Sequence, residues 1–169
     1  MSRRILRHFA LLAVVALLPA RSSAQQLSVG GNLGWMFDTE VDRLSIGADV
    51  RYALKDQRWA LNPRFTCFLW SEGSSGWQLD GNVLYRFPVG ASEKVEPYAG
   101  IGLGLVSTSF DSGTSGKVTD TVVGTNIISG FSLKTASKLK PWLHLQYTAA
   151  IDFGNTFIGF VGASYPLGK

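Results

Sequence analysis

The stretch RLSIGADVRYAL, residues 43–54, sets Leu44, Ile46, Ala48, Val50, Tyr52 and Leu54 on one parity and Arg43, Ser45, Gly47, Asp49 and Arg51 on the other. Successive side chains of an extended chain point to opposite faces, so this alternation predicts a β-strand with one apolar and one polar side. The pattern recurs along the chain. Eight alternating runs are legible, roughly 26–37, 43–54, 58–70, 77–87, 95–108, 121–133, 140–153 and 156–167, and the breaks between them read DTEVD, KDQ, SEGSSG, PVGASEK, FDSGTSGKVTD, LKTASK and GNT. Breaks this short join antiparallel neighbours, because a parallel crossover needs about a dozen residues or more. The expectation is an all-β, up-and-down antiparallel meander, and eight strands can close into a barrel without a free edge. Runs six and eight alternate less cleanly, and FIGFVGASY can be registered either way.

Alternation alone does not say which face meets water, but residue type does. A water-washed strand face is normally furnished with Lys, Glu and Thr. Here Lys55, Lys94, Lys117, Lys134, Lys138, Lys140 and Lys169 all fall in breaks or at run ends. The polar parity within the runs carries Arg43, Arg51, Arg58, Arg64 and Arg86 with Asp49, Asp80, Glu96 and Asp152, joined by Asn32, Asn62, Asn82, Gln78, His144 and Gln146. Arginine offers fixed donors that match carboxylates, so this inventory suits an enclosed ionic network. Gly100, Gly102 and Gly104 in EPYAGIGLGLV lie on the same side, where they leave room for long Arg and Gln side chains across a narrow lumen. The apolar parity holds no charged residue and gathers aromatics towards the run ends: Trp35, Phe37, Tyr52, Trp59, Trp77, Tyr85, Phe87, Tyr147 and Phe153. Paired aromatic girdles flanking an apolar band mark a transmembrane barrel, whose tilted strands need about 9–11 residues. The competing reading is a soluble barrel with an aromatic-lined ligand pocket; the placement of Lys and Arg favours lipid outside.

The first residues stand apart. MSRRILRH is basic, FALLAVVALL is a short apolar run and PARSSA ends in a small-x-small pattern, so residues 1–24 read as a secretory signal peptide and 25–169 as the barrel domain. About ten apolar residues are too few to span a bilayer as a helix, which needs ~20. The four arginines of residues 1–24 account for the whole formal charge of +4, so the remainder is neutral and its charge carries no nucleic-acid signal. Cys67 is the sole cysteine and lies mid-run on the apolar parity, where it acts as a small hydrophobe.

With its leader, its eight alternating runs and VEPYAGIGLGLV, the chain resembles the small outer-membrane β-barrel family of Gram-negative bacteria, which includes the OmpA barrel domain, OmpX and opacity-type proteins. That resemblance implies termini in the periplasm, with DTEVD, SEGSSG, FDSGTSGKVTD and GNT as external loops. It also implies outer-membrane lipid, lipopolysaccharide and the outer-membrane assembly machinery as partners. One departure stands out: such barrels commonly end on an aromatic residue, whereas this chain ends SYPLGK.

Catalytic chemistry has little to work with. Among residues 25–169, His144 is the sole histidine, and a Ser–His–acid hydrolase needs a serine and an orienting acid within hydrogen-bond reach. Asp152 shares its parity but stands ~26 Å away at strand rise. The lipid A deacylase type of barrel carries Ser two residues after its His, where this chain has Gln146. No ligand spacing for a metal is present, GIGLG has no helix behind it to make a phosphate loop, and no cofactor is expected. The expectation is a structural or interaction role in the envelope. The alternatives are a barrel that binds or transports a small solute and, third, a lipid-modifying enzyme.

Overall fold

The computed structural model describes residues 27–37, 43–71, 74–90, 92–111, 117–150 and 154–167. They form eight strands: β1 (Leu27–Phe37), β2 (Arg43–Ala53), β3 (Trp59–Ser71), β4 (Ser74–Arg86), β5 (Val95–Asp111), β6 (Lys117–Leu133), β7 (Lys140–Ala150) and β8 (Gly154–Pro166). Each pairs antiparallel with the next, and β8 pairs antiparallel with β1, so the sheet closes on itself. Stepping between directly paired residues from Leu27 through Tyr52, Leu61, Val83, Ile101, Ile127, Tyr147 and Phe157 returns to β1 at Phe37, a stagger of ten residues. Such a stagger tilts the strands steeply and leaves an interior about wide enough for side chains to fill.

The barrel is apolar outside and polar inside. Ile101 and Leu103 are 67% and 61% exposed on the outer wall, whereas Asn62, Asn126, His144 and Gln146 are wholly buried at 0%. A wall of this kind has no water for its backbone, so each N–H and C=O needs a partner within the sheet. Pro63, in the middle of β3, breaks that rule locally. It has no N–H to give the carbonyl of Val50, and the β2–β3 register lapses between Asp49↔Arg64 and Tyr52↔Leu61. The side-chain amide of Asn62 fills the gap by donating to the Val50 carbonyl at 2.9 Å.

The strands outrun the expected runs in two places: β3 and β4 take in four of the six residues of SEGSSG and close on the pair Ser71↔Ser74. β5 and β6 extend to the pair Asp111↔Lys117, so most of the loop expected over residues 109–120 is a continued hairpin. Its β-branched residues favour extended chain, and hydroxyls bridge the strands, Ser109 with Thr119 at 2.9 Å and Thr121 donating to Ser107 at 3.0 Å. In β8, Ile158 and Phe160 point inward and Phe157, Val161 and Tyr165 outward, which fixes the register that the sequence left open.

Candidate functional site

The centre of the lumen is built on Arg64. Its direct cross-strand partners are Asp49 on β2 and Asp80 on β4, so alternation places three charged side chains side by side at one level. Arg51, two residues along β2, donates Nε–H to Asp49 Oδ2 at 3.2 Å, and Asn62 Nδ2 donates to the same oxygen at 2.9 Å. Asp80 Oδ1 accepts from Gln78 Nε2 at 2.7 Å and Asn126 Nδ2 at 2.8 Å, and its Oδ2 accepts from Gln146 Nε2 at 3.4 Å. Two arginines and two aspartates thus form a formally neutral cluster in which both carboxylates receive several donors, the condition under which buried charge is tolerated.

Arg64 also crosses the barrel. Its Nη1 donates to Gln146 Oε1 at 3.2 Å and its Nη2 to His144 Nδ1 at 3.0 Å, both on β7, the strand opposite β3 in a ring of eight. With Nδ1 accepting, the neutral tautomer carries its proton on Nε2, which donates to Gln146 Oε1 at 3.4 Å. The guanidinium lies 4.5 Å over the Phe160 ring and 5.6 Å from that of Trp142. The result is a strut across the diameter, its guanidinium held by hydrogen bonds and by ring faces.

Two apolar clusters share the interior with this network, one of Met36, Phe68, Trp142, Ile158 and Phe160 and one of Leu84, Tyr98 and Ile128. The lumen expected from the sequence is polar throughout and does not contain them. The signal was present, since Met36, Phe68, Leu84, Tyr98 and Ile128 interrupt the polar parity of their strands. The glycines of β5 also serve different neighbours from those expected. A Cβ at Gly104 would meet Asp80 Oδ1 at 2.5 Å and Gln78 Nε2 at 3.1 Å, and one at Gly100 would meet the Leu84 side chain at 2.5 Å, so these glycines admit a carboxylate, a glutamine and a leucine from β4, and no arginine.

The remaining residues of the expected lumen network divide between the ends. Arg43 is buried at the end away from the termini, bonded to Ser74. Arg86 and Glu96 face each other at 4.0 Å in the opposite mouth, both partly exposed. Arg58 is a correction: it lies outside the lumen, in the exposed turn between β2 and β3. Its guanidinium forks onto Asp56, with Nη2 2.8 Å from Oδ2, and this hydrogen bonding holds the Asp56 carboxyl below its ordinary value of 3.8. Polar parity runs on past the end of β3, but two residues of turn give Arg58 a local partner that needs no lumen. Asp152 and Phe153 lie outside the described residues.

Of the expected girdle, Trp35, Phe37, Trp59, Phe87 and Tyr147 are exposed on the outer wall, with Tyr52, Trp77 and Tyr85 half-buried among neighbours. The rings pair at both ends of the barrel. Trp59 packs edge-on against Tyr85 at 4.8 Å and Tyr85 against Phe87 at 5.3 Å near the termini, and Phe37 lies 5.9 Å from Phe157 at the far end.

A cavity of about 60 Å³ opens at the mouth nearest the termini, floored by Arg51, Leu84 and Tyr98 and walled by Arg86, Glu96, Lys140 and the serines 28, 132 and 164.

Comparison with known proteins agrees with this architecture. The family profile described as outer membrane protein beta-barrel domain matches residues 8–161. No curated protein sequence matches the chain. Among solved structures, neisserial surface protein A is 15% identical with a TM-score of 0.63, covering 85% of this chain and 96% of its own. The N-terminal β-barrel domain of Pseudomonas aeruginosa OprF is 14% identical with a TM-score of 0.66, covering 85% and 99%. Ail, the attachment invasion locus protein of Yersinia pestis, is 16% identical with a TM-score of 0.57, covering 85% and 97%.

Proposed function

This chain belongs to the outer membrane protein beta-barrel domain family and is an outer-membrane barrel of the Gram-negative type, and from that premise we propose that it serves the envelope as a structural and interaction-bearing barrel with a closed lumen. The observation that carries this reading is the Arg64 strut, which joins β3 to β7 through wholly or nearly wholly buried side chains. A solute crossing the barrel would have to break a charge-assisted network and displace Phe160 and Ile158 together. The outer wall, with aromatics at both ends, is the surface offered to lipid and lipopolysaccharide, and the turns between strands are what it presents to other molecules. His144 is a structural hydrogen-bonding residue in this reading: its hydrogen-bond partners among the described residues are Arg64, Tyr98 and Gln146, none of them an alcohol or thiol poised as a nucleophile.

Single-channel recording in planar bilayers tests the proposal. The folded protein should give no sustained conductance steps, whereas Arg64→Ala, which removes the strut, should give brief openings. Sustained steps from the unaltered barrel would favour a transport role instead.

A further inference from the structure

The cavity at the terminal mouth is built unlike the rest of the interior. In the centre each charge faces an opposite one, whereas this vestibule gathers Arg51, Arg86 and Lys140 around a single carboxylate, Glu96. Arg51 is already bonded to Asp49, and Glu96 is shared between Arg86 at 4.0 Å and the Ser132 hydroxyl at 3.4 Å. Lys140 and Ser164 are direct cross-strand partners on β7 and β8, and both line the cavity. Among the described residues neither side chain has a hydrogen-bond partner. Ser164 is 5% exposed and lies on the inward parity of β8. The volume excludes a drug-sized ligand, which needs about 300 Å³ or more.

We propose that the vestibule is an oxyanion site that takes one phosphate-sized group. Lys140 and Arg86 supply the charge, Ser164 supplies a hydroxyl donor, and the Arg51 guanidinium closes the floor. Arg86 is anchored at the cavity wall, donating Nη2 to the Gln57 backbone carbonyl with Nη1 facing Glu96.

The test is a titration of inorganic phosphate into the folded barrel in maltoside micelles, which carry no phosphate of their own. Backbone amide shifts are followed against chloride at matched ionic strength. Saturable shifts centred on Lys140, Ser164 and Arg86 are expected. Lys140→Gln should weaken binding about tenfold, the size of one charge-assisted hydrogen bond. Ser164→Ala should weaken it less, and Lys138→Gln, on the rim but outside the cavity, should leave it unchanged. A barrel-shifted band on unheated gels verifies that each variant is folded. A response to glycerol phosphate equal to that of the free ion assigns the site to phosphate monoesters, and a response to inorganic phosphate alone assigns it to the ion. Shifts that fail to saturate, that chloride reproduces, or that Lys138→Gln weakens as much as Lys140→Gln would overturn the proposal.

Discussion

Replacing Asn62 by alanine removes two hydrogen bonds from the barrel wall at once. The amide nitrogen donates to Asp49 Oδ2 and to the Val50 carbonyl, each at 2.9 Å, and the residue is wholly buried. A bond to a charged acceptor contributes ~1.5–3 kcal/mol, and a carbonyl left buried and unpaired costs ~1–3 kcal/mol. The amide oxygen has no partner, so nothing is lost on that side. Asn62→Ala should therefore destabilise the barrel by about 3–5 kcal/mol. Pro63 separates the two parts. Pro63→Ala restores an N–H opposite the Val50 carbonyl, so in the Asn62→Ala background it should recover about 1–3 kcal/mol. In the native background the carbonyl already has its donor, and the substitution changes only the freedom of the unfolded chain, ~0.4–1 kcal/mol. That contribution appears in both backgrounds and cancels in the double-mutant cycle. Equilibrium urea unfolding in lipid vesicles, followed by tryptophan emission, measures all four proteins. Additivity within ~0.5 kcal/mol would show that Asn62 is not the stand-in for the missing Pro63 amide.

Other consequences are open to measurement. Arg at Leu103, 61% exposed on the outer wall, should cost ~2–4 kcal/mol if that position lies near the bilayer midplane, and an unchanged urea midpoint would place it elsewhere. Brominated acyl chains should quench Trp35, Trp59 and Trp77 but spare Trp142, which is 3% exposed and packed against His144; single-tryptophan variants read this directly. The depressed titration of Asp56 means that its pairing with Arg58 is present above the ordinary carboxylate value of 3.8 and lost as pH falls through the lowered one. A carboxyl NMR titration should show Arg58→Gln raising the Asp56 midpoint back towards 3.8, and no movement would dissociate the pair.

Most of the architecture was legible because a strand writes its two faces in alternate letters. In Leu44, Ile46, Ala48 and Val50 the outer wall is spelled out, and the confinement of Lys to breaks distinguishes a lipid-facing wall from a wet one. The faces of β8 were not legible, since Phe157, Ile158 and Phe160 are apolar on both parities, and closure against β1 and β7 decides among them. The lumen was legible as a list of residues but not as contacts. Arg64 meets Gln146, 82 positions along the chain, because of the barrel's stagger, and no local pattern records that number. Arg58 failed for the opposite reason: a partner two residues away outweighed the parity it shares with β3.

The seam between β1 and β8 is the longest-range strand pairing of the barrel. Ser28 pairs with Pro166 and Phe37 with Phe157, so this seam joins opposite ends of the described chain. Closing a long loop costs only slightly more entropy than closing a short one, but it must wait until all intervening strands exist. Before then β1 presents a bare row of amides and carbonyls, which hydrocarbon does not tolerate and which a stray strand can capture. A barrel with this seam open leaves two unpaired edges in hydrocarbon, so closure is expected to accompany membrane entry, and a stable seven-stranded species in vesicles would contradict that expectation.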